Sequence, residues 1–328
     1  MAETSIETRA GRTWIDWLNM VGPLIGLAAV FGLFAALAPS TFLSMTNMET
    51  IARQSAIVGT AALGMTMIII AGGIDLSAGS VIALATVVVA VLLRDGHGTL
   101  VSAMAAVAVC AGCGAINGGI ITKFRMVPFI VTLGMLLIVR GAAKGLAGEL
   151  TVYPERATWL EGLLRSLGPG KEWMIVPPGV WLMVVLAVIV WVALRYTRFG
   201  RHVFAVGSNE LTARLCGVPV ERVKLMVYVL GAAFAGVAGV MQFSRLTVGD
   251  PTVAVGLELN VIAAVVIGGG SLSGGEGSVL GSIVGALIMT IIANGCVQID
   301  LPNWVQEIVT GSVIVVAVGL DRLRHRRE

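Results

Sequence analysis

The residues with the clearest chemical pattern are GGGSLSGGEGS, at 268–278. LSGGE is one letter from the LSGGQ signature of nucleotide-hydrolysing ATPases, and glycines this dense could cradle a phosphate on backbone N–H groups. That chemistry also needs G-x-x-x-x-G-K-[ST], whose lysine reaches the phosphates. The lysines are Lys123, Lys144, Lys171 and Lys224, and none completes the pattern. The stretch therefore reads as a break between helices. Gly269, Gly270, Gly274 and Gly275 let the backbone change direction, and Ser278 can cap the helix that follows. Nor does any other constellation suggest catalysis. His97, His202 and His325 fall in loops or the tail, and Cys110 and Cys113 form a C-x-x-C inside an apolar run. With Cys216 and Cys296 isolated, the cysteines read as small packing residues. No catalytic residue, metal ligand or resident cofactor is assigned.

A related break occurs at GGIDLSAGS, 72–80. Gly72 and Gly73 end one apolar run, and Asp75 or Ser77 can cap the next helix at its positive dipole end. Both stretches read apolar run, GG, Leu-Ser, then Gly-Ser-Val, which a distant internal repeat would explain.

Such breaks must sit in a solvent, and composition says which. The 328 residues are 57% hydrophobic and 12% charged, with a mean hydropathy of +0.93. A soluble domain cannot hide that much apolar surface, so lipid is the solvent expected. Crossing it takes about 20 apolar residues per helix. Ten runs qualify: 18–38, 51–71, 76–93, 99–121, 128–147, 178–195, 223–243, 257–270, 278–298 and 304–320. The third and eighth are short, which leaves eight to ten spans. The first run exceeds a secretory signal core, so it is expected to remain as a span.

Lysine and arginine favour cytoplasmic loops. With the N-terminus inside, Lys123, Arg125, Arg195, Arg198, Arg201, Arg214, Arg222 and Lys224 share the cytoplasmic side with a basic C-terminal tail. Arg53, Arg94, Lys144, Arg156, Arg165, Lys171 and Arg245 fall outside. The expectation is an all-α polytopic bundle with both termini cytoplasmic. It has a tail at 1–17, one membrane domain at 18–320 and a basic tail at 321–328. The segment 148–177 mixes charges with Trp159 and Trp173, as an external excursion at the interface would.

The longest cytoplasmic connection is 195–222. Ser208 or Asn209 can start a short helix in it, Gly217 ends it, and Pro219 prevents continuation. Leu211 and Leu215 share one face, with Glu210 and Arg214 on the neighbouring one. An apolar pair here either fits a groove on a partner protein or folds back on its own bundle.

Four stretches in order resemble the permease subunit of a bacterial ABC importer of the ribose/arabinose/xylose type, related to branched-chain amino-acid permeases. They are GGIDLSAGSVIAL, GAINGGIITKFRMVPFIVTLGM with LIVRG, TRFGRHVFAVGSNELTARLCGV, and ELNVIAAVVIGGGSLSGGEGSVLGSIVGALI, followed by Asn294-Gly295. They span about residue 45 to 320. The resemblance implies a second permease protomer, cytoplasmic ABC ATPase subunits that use the ATP, and a periplasmic sugar-binding protein. It places the ATPase-coupling role on Ser208 through Gly217. It also implies a multi-pass protein of the bacterial inner membrane; a net charge of +3, with the positive residues in particular loops, gives no nucleic-acid reading.

Polar residues inside the spans are the remaining candidates. Asn117, Asn260 and Asn294 could line a pathway for a hydroxyl-rich solute, or bond neighbouring helices. Arg140 and Lys144 read as snorkelling, and Arg245 as a docking contact for a carboxylate on the binding protein. The alternative function is an ion-gradient-driven transporter. It calls for an ionisable group deep in the bundle, whereas Asp75 and Glu258 fall near span ends.

Overall fold

The computed structural model describes residues 22–154, 158–166 and 174–325. Among them the chain is helical, apart from one isolated antiparallel bridge between Val152 and Gly249. The helices are α1 (Gly22–Leu37), α2 (Pro39–Phe42), α3 (Met45–Ile70), α4 (Ala78–Arg94), α5 (Thr99–Phe124), α6 (Pro128–Ala147) and α7 (Pro178–Tyr196). They continue with α8 (Arg198–Ser208), α9 (Glu210–Leu215), α10 (Val220–Leu246), α11 (Leu257–Ile267), α12 (Val279–Gln298) and α13 (Asn303–His325).

Six of these, α3, α5, α6, α7, α10 and α12, are long and apolar enough to cross a membrane. Four shorter apolar helices, α1, α4, α11 and Asn303–Gly319 of α13, fall where the sequence predicts the other spans. Burial separates core from periphery. In its most apolar window α3 is 89% buried, against 22% for α5 and 28% each for α6 and α7, which turn apolar side chains outward. Around α3 pack α7, α10, α11 and α12, and α10 also packs on α4 and α5. Glycine lets backbones approach at these crossings. A methyl group on Gly64 would fall 2.7 Å from Gly231 O, and one on Gly114 would fall 2.3 Å from Tyr228 O.

Helix α4 has 17 residues and α11 has 11, about 25 and 16 Å at 1.5 Å per residue. Irregular chain precedes each of them, and other parts of the protein satisfy its backbone. The carbonyl of Ile74 accepts from the Tyr228 and Thr132 hydroxyls, each at 3.3 Å. In the connection between α10 and α11, Arg140 donates to Pro251 O at 2.9 Å and Val253 O at 2.6 Å. Arg140 is thus a strap between helices, and the snorkelling expected of it is not what it does. Asp75 and Glu258 stand at the starts of α4 and α11, where the sequence places them, yet at 1% and 9% exposed both are buried, Glu258 where the first turns of α4 and α11 meet.

In the excursion, Leu160 and Leu164 are buried while Trp159 is exposed. The Leu164 N–H donates to the Ser244 hydroxyl at 2.9 Å, which donates to Glu161 O at 3.2 Å, so the segment seats on the end of α10. Trp173, Arg156 and Lys171 lie outside the described residues. The connection 195–222 is more ordered than a loop with one short helix, since α8 fills its first half, capped by the Thr197 hydroxyl.

The glycine crossings give a paired prediction. Gly114→Val should destabilise the bundle by about 1–3 kcal/mol through overpacking. Gly112→Val, where a methyl group meets nothing within 4 Å, should be nearly neutral. Thermal unfolding in detergent compares the two.

Candidate functional site

The end of the bundle that carries α9 brings together three stretches singled out in the sequence. Asn209 caps α9, its side-chain oxygen accepting from Thr212 N–H at 2.9 Å, while Ser208 closes α8. Gly217 ends the turn at φ +81°, with its N–H on Arg214 O and that of Val218 on Ala213 O. Leu211 and Leu215 are 75% and 88% exposed. Of the two readings left open for this pair, packing on its own bundle is excluded by these values.

The neighbouring face of α9 is held by charge. Lys224 donates to Glu210 at 2.6 Å, and Arg214 pairs with Glu221 at 2.6 Å and Glu210 at 3.4 Å. Hydrogen bonding from Lys224 holds the Glu210 carboxyl below its usual range. These pairs tie α9 to the first turn of α10.

Beneath them the two glycine breaks touch. Gly275 N–H donates to Ile70 O at 2.9 Å. A methyl group on Gly207 would fall 1.7 Å from that oxygen and 2.6 Å from Gly275 N, and one on Gly274 would fall 2.9 Å from Gly72 Cα. Gly72, Gly269, Gly274 and Gly275 all have φ between +76° and +91°, a region side chains resist. Gly73 and Gly270 do not have positive φ, but each has a neighbour that a methyl group would meet. At the start of α12, the Ser278 hydroxyl accepts from Gly281 N–H at 3.2 Å. At α4 the N-cap is Ser77, and among the described residues no side chain caps the helix; the Asp75 carboxylate instead holds the turn before it. That carboxylate accepts from Ser77 N–H at 2.8 Å and from the Ser77 hydroxyl at 2.5 Å, and Asn117 donates to that hydroxyl at 3.1 Å.

Two adjoining cavities open away from α9. A chamber of about 210 Å³ lies between α3, α10, α11 and α12, with Gln54, Gln242, Arg245, Asn260 and Thr290 on its wall. A groove of about 660 Å³ adjoins it, sharing Gln54 and Ala293, and includes Asn47, Asn294 and Gln298. There Asn47 accepts from Asn294 at 2.9 Å and Gln298 at 2.8 Å. Toward α9, Thr66 donates to Ser282 at 2.7 Å, joining α3 to α12. Of the candidate asparagines, Asn260 lines the chamber and Asn294 the groove. Asn117 lines neither and braces the α3–α4 break. Arg245 stands in the chamber wall.

The sequence reading missed Gln54, Thr290 and Gln298. Their signal was spacing: Thr290, Asn294 and Gln298 recur every four residues on α12, and Asn47, Thr50 and Gln54 lie on one side of α3, so each set forms a polar stripe on an apolar helix.

A helical bundle with adjoining polar-lined cavities toward one end and an exposed, braced helix at the other fits a membrane permease. Residues 47–318 match the family described as branched-chain amino acid transport system / permease component, and the chain belongs to that family. The Ribose import permease protein RbsC of Escherichia coli (strain K12) is 36% identical over 323 residues, covering 96% of this chain and 98% of the relative. RbsC of Bacillus subtilis (strain 168) is 37% identical over 98% of this chain and 99% of the relative. The L-arabinose ABC transporter permease protein AraH of Azospirillum brasilense is 33% identical over 97% and 91%. No solved structure matches. The chain is therefore a permease component and not an enzyme.

The Glu210 pairs give a prediction with a defined sign. A carboxyl held below its ordinary value of 4.5 contributes stability above that value and loses it as pH falls through the lowered one. A nitroxide on the exposed Cys216 should thus keep one mobility from pH 7 to pH 5 and gain mobility only below 4.5. Glu210→Gln should show the looser state already at pH 7. The effect should be modest, because exposed pairs contribute about 0.2–1 kcal/mol each.

Proposed function

We propose that this chain is the transmembrane subunit of an ATP-driven sugar importer in the bacterial inner membrane, its cargo a pentose, a hexose or a related polyol. Two such protomers form the pathway, cytoplasmic ABC ATPases bind α9, and a periplasmic binding protein delivers the cargo. The α9 end faces the cytoplasm together with both termini. Arg125, Arg214 and Lys224 meet there around one pocket, in keeping with the preference of basic residues for that side. On this reading the chain crosses ten times, with α4 and α11 completed by their irregular connections.

The observation that carries the reading is α9 itself. Its two leucines are exposed, while its neighbouring face is ion-paired to α10 and Gly207, near the end of the preceding α8, sits against Ile70. A surface that is apolar outward and fixed inward is suited to receive a push from a partner and to pass it on. Names among the relatives, ribose and L-arabinose permeases, support the cargo class. A gradient-driven carrier is not favoured, on the ground of family rather than the positions of Asp75 and Glu258.

Affinity purification from native membranes tests this directly. An ABC ATPase and a periplasmic binding protein should co-purify, and Leu211→Asp with Leu215→Asp should lower ATPase recovery at least ten-fold, as truncating apolar anchors does at interfaces. Recovery of the chain alone, still competent for uptake in proteoliposomes without ATP, would overturn the assignment. Arg245→Glu should slow uptake while leaving ATPase recovery unchanged.

A further inference from the structure

We propose that the chamber between α3, α10, α11 and α12 binds one neutral monosaccharide, so that this chain selects its cargo a second time inside the membrane. The proposal rests on the importer reading, and it adds a site where a permease fed by a binding protein needs only a passage.

The first argument is the state of the polar groups. On the neighbouring α3, a threonine returns its hydroxyl to the preceding turn: Thr60 donates to Ala56 O at 2.7 Å. Thr290 is 4% exposed and lines the chamber, yet its hydroxyl makes no hydrogen bond among the described residues. The side-chain oxygen of Asn260 is likewise buried and unpaired on the same wall. Buried polar atoms without partners carry a cost that a hydroxyl-bearing ligand removes. Gln54 from α3 and Gln242 from α10 add amides that can both donate and accept. Four helices thus each contribute one side chain with the versatility that sugar hydroxyls require.

The rest of the wall fits the same ligand class. Ile57, Val58, Leu257 and Met289 offer an apolar surface to the C–H face of a sugar ring. Among the described residues no carboxylate lines the chamber and its one charge is that of Arg245, so a cationic amino sugar is disfavoured. A volume of about 210 Å³ lies below the roughly 300–1,000 Å³ of drug-sized sites and suits a five- or six-carbon sugar. The adjoining groove, lined by Asn294, Gln298 and Thr50 among others, gives such a solute a polar approach. Beyond the chamber the Thr66–Ser282 hydrogen bond joins α3 to α12. A sugar entering from the groove would be held there until that contact opens.

The test uses the full chain in lipid nanodiscs without partner proteins, and equilibrium dialysis against radiolabelled D-ribose, D-xylose, L-arabinose, D-glucose and D-galactose. At least one should bind saturably. Thr290→Val and Asn260→Leu, which keep shape and remove the polar atoms, should each weaken it about ten-fold, the effect expected for a lost buried hydrogen bond. Ala293→Trp, at an exposed position shared by groove and chamber, should abolish binding without disturbing buried packing, and D-glucosamine should not compete. Saturation by none of the five sugars, or binding unchanged in all three variants, overturns the chamber as a site. Failure of the importer reading looks different: the reassembled transporter, with ATPase and binding protein, would then take up no sugar at all. Uptake without any binding to the permease would remove only the chamber.

Discussion

A hydrogen bond from Gly275 N–H to Ile70 O, beside Gly207, joins three parts of the chain that are far apart in sequence. It closes the α3 end, anchors the turn that leads into α12, and leaves no room for a side chain on α8. Each partner is backbone, so the geometry is set by the absence of side chains. Glycine at 207 and 274 is required by proximity, and at 274 also by a φ of +86°. The glycines that suggest a phosphate loop are instead what lets two helix breaks and a surface helix share one point.

The constraint behind this arrangement is the cost of unpaired backbone in lipid. Two helices, α4 and α11, are too short to cross, and the chain before each must be satisfied by other means. Tyr228, Thr132 and Arg140 supply donors to Ile74, Pro251 and Val253, while Asp75 accepts from Ser77. These polar residues appear in the sequence as anomalies inside apolar runs. In the structure several have partners, while among the described residues Ser55, Ser80, Asn117, Glu258, Asn260, Thr290 and Asn294 each keep a buried oxygen unpaired; those of Thr290 and Asn260 share the chamber wall.

Much of this was legible in the sequence, for identifiable reasons. Apolar run length marked the helices, and punctuation by Gly72, Gly217 and Gly269 marked their ends, because both signals are local. The exposure of Leu211 and Leu215 was half legible: spacing gave the shared face, but only tertiary packing could show that nothing covers it. Roles that depend on which helices are neighbours were hidden. Arg140 read as a snorkelling residue because its partners lie 111 and 113 positions away. Asn117 read like Asn260, although one faces Ser77 and the other a cavity. The stripe Thr290, Asn294, Gln298 was visible as a four-residue period and gains meaning from the facing stripe on α3.

The two ends of the molecule are linked by elements that serve both. Helix α10 carries Lys224, paired to Glu210 of α9, at its first turn and Gln242 of the chamber near its last. Helix α3 ends at Ile70 against Gly275 and, four turns earlier, presents Gln54 to the same chamber. Helix α12 begins beside the glycine turn and reaches the chamber at Thr290. Side chains packed as tightly as those of α3 transmit displacement rather than absorb it. A shift of α9 would therefore reach the chamber wall on three helices together. The Thr66–Ser282 hydrogen bond lies between the junction and the chamber and joins two of those three helices through side chains alone.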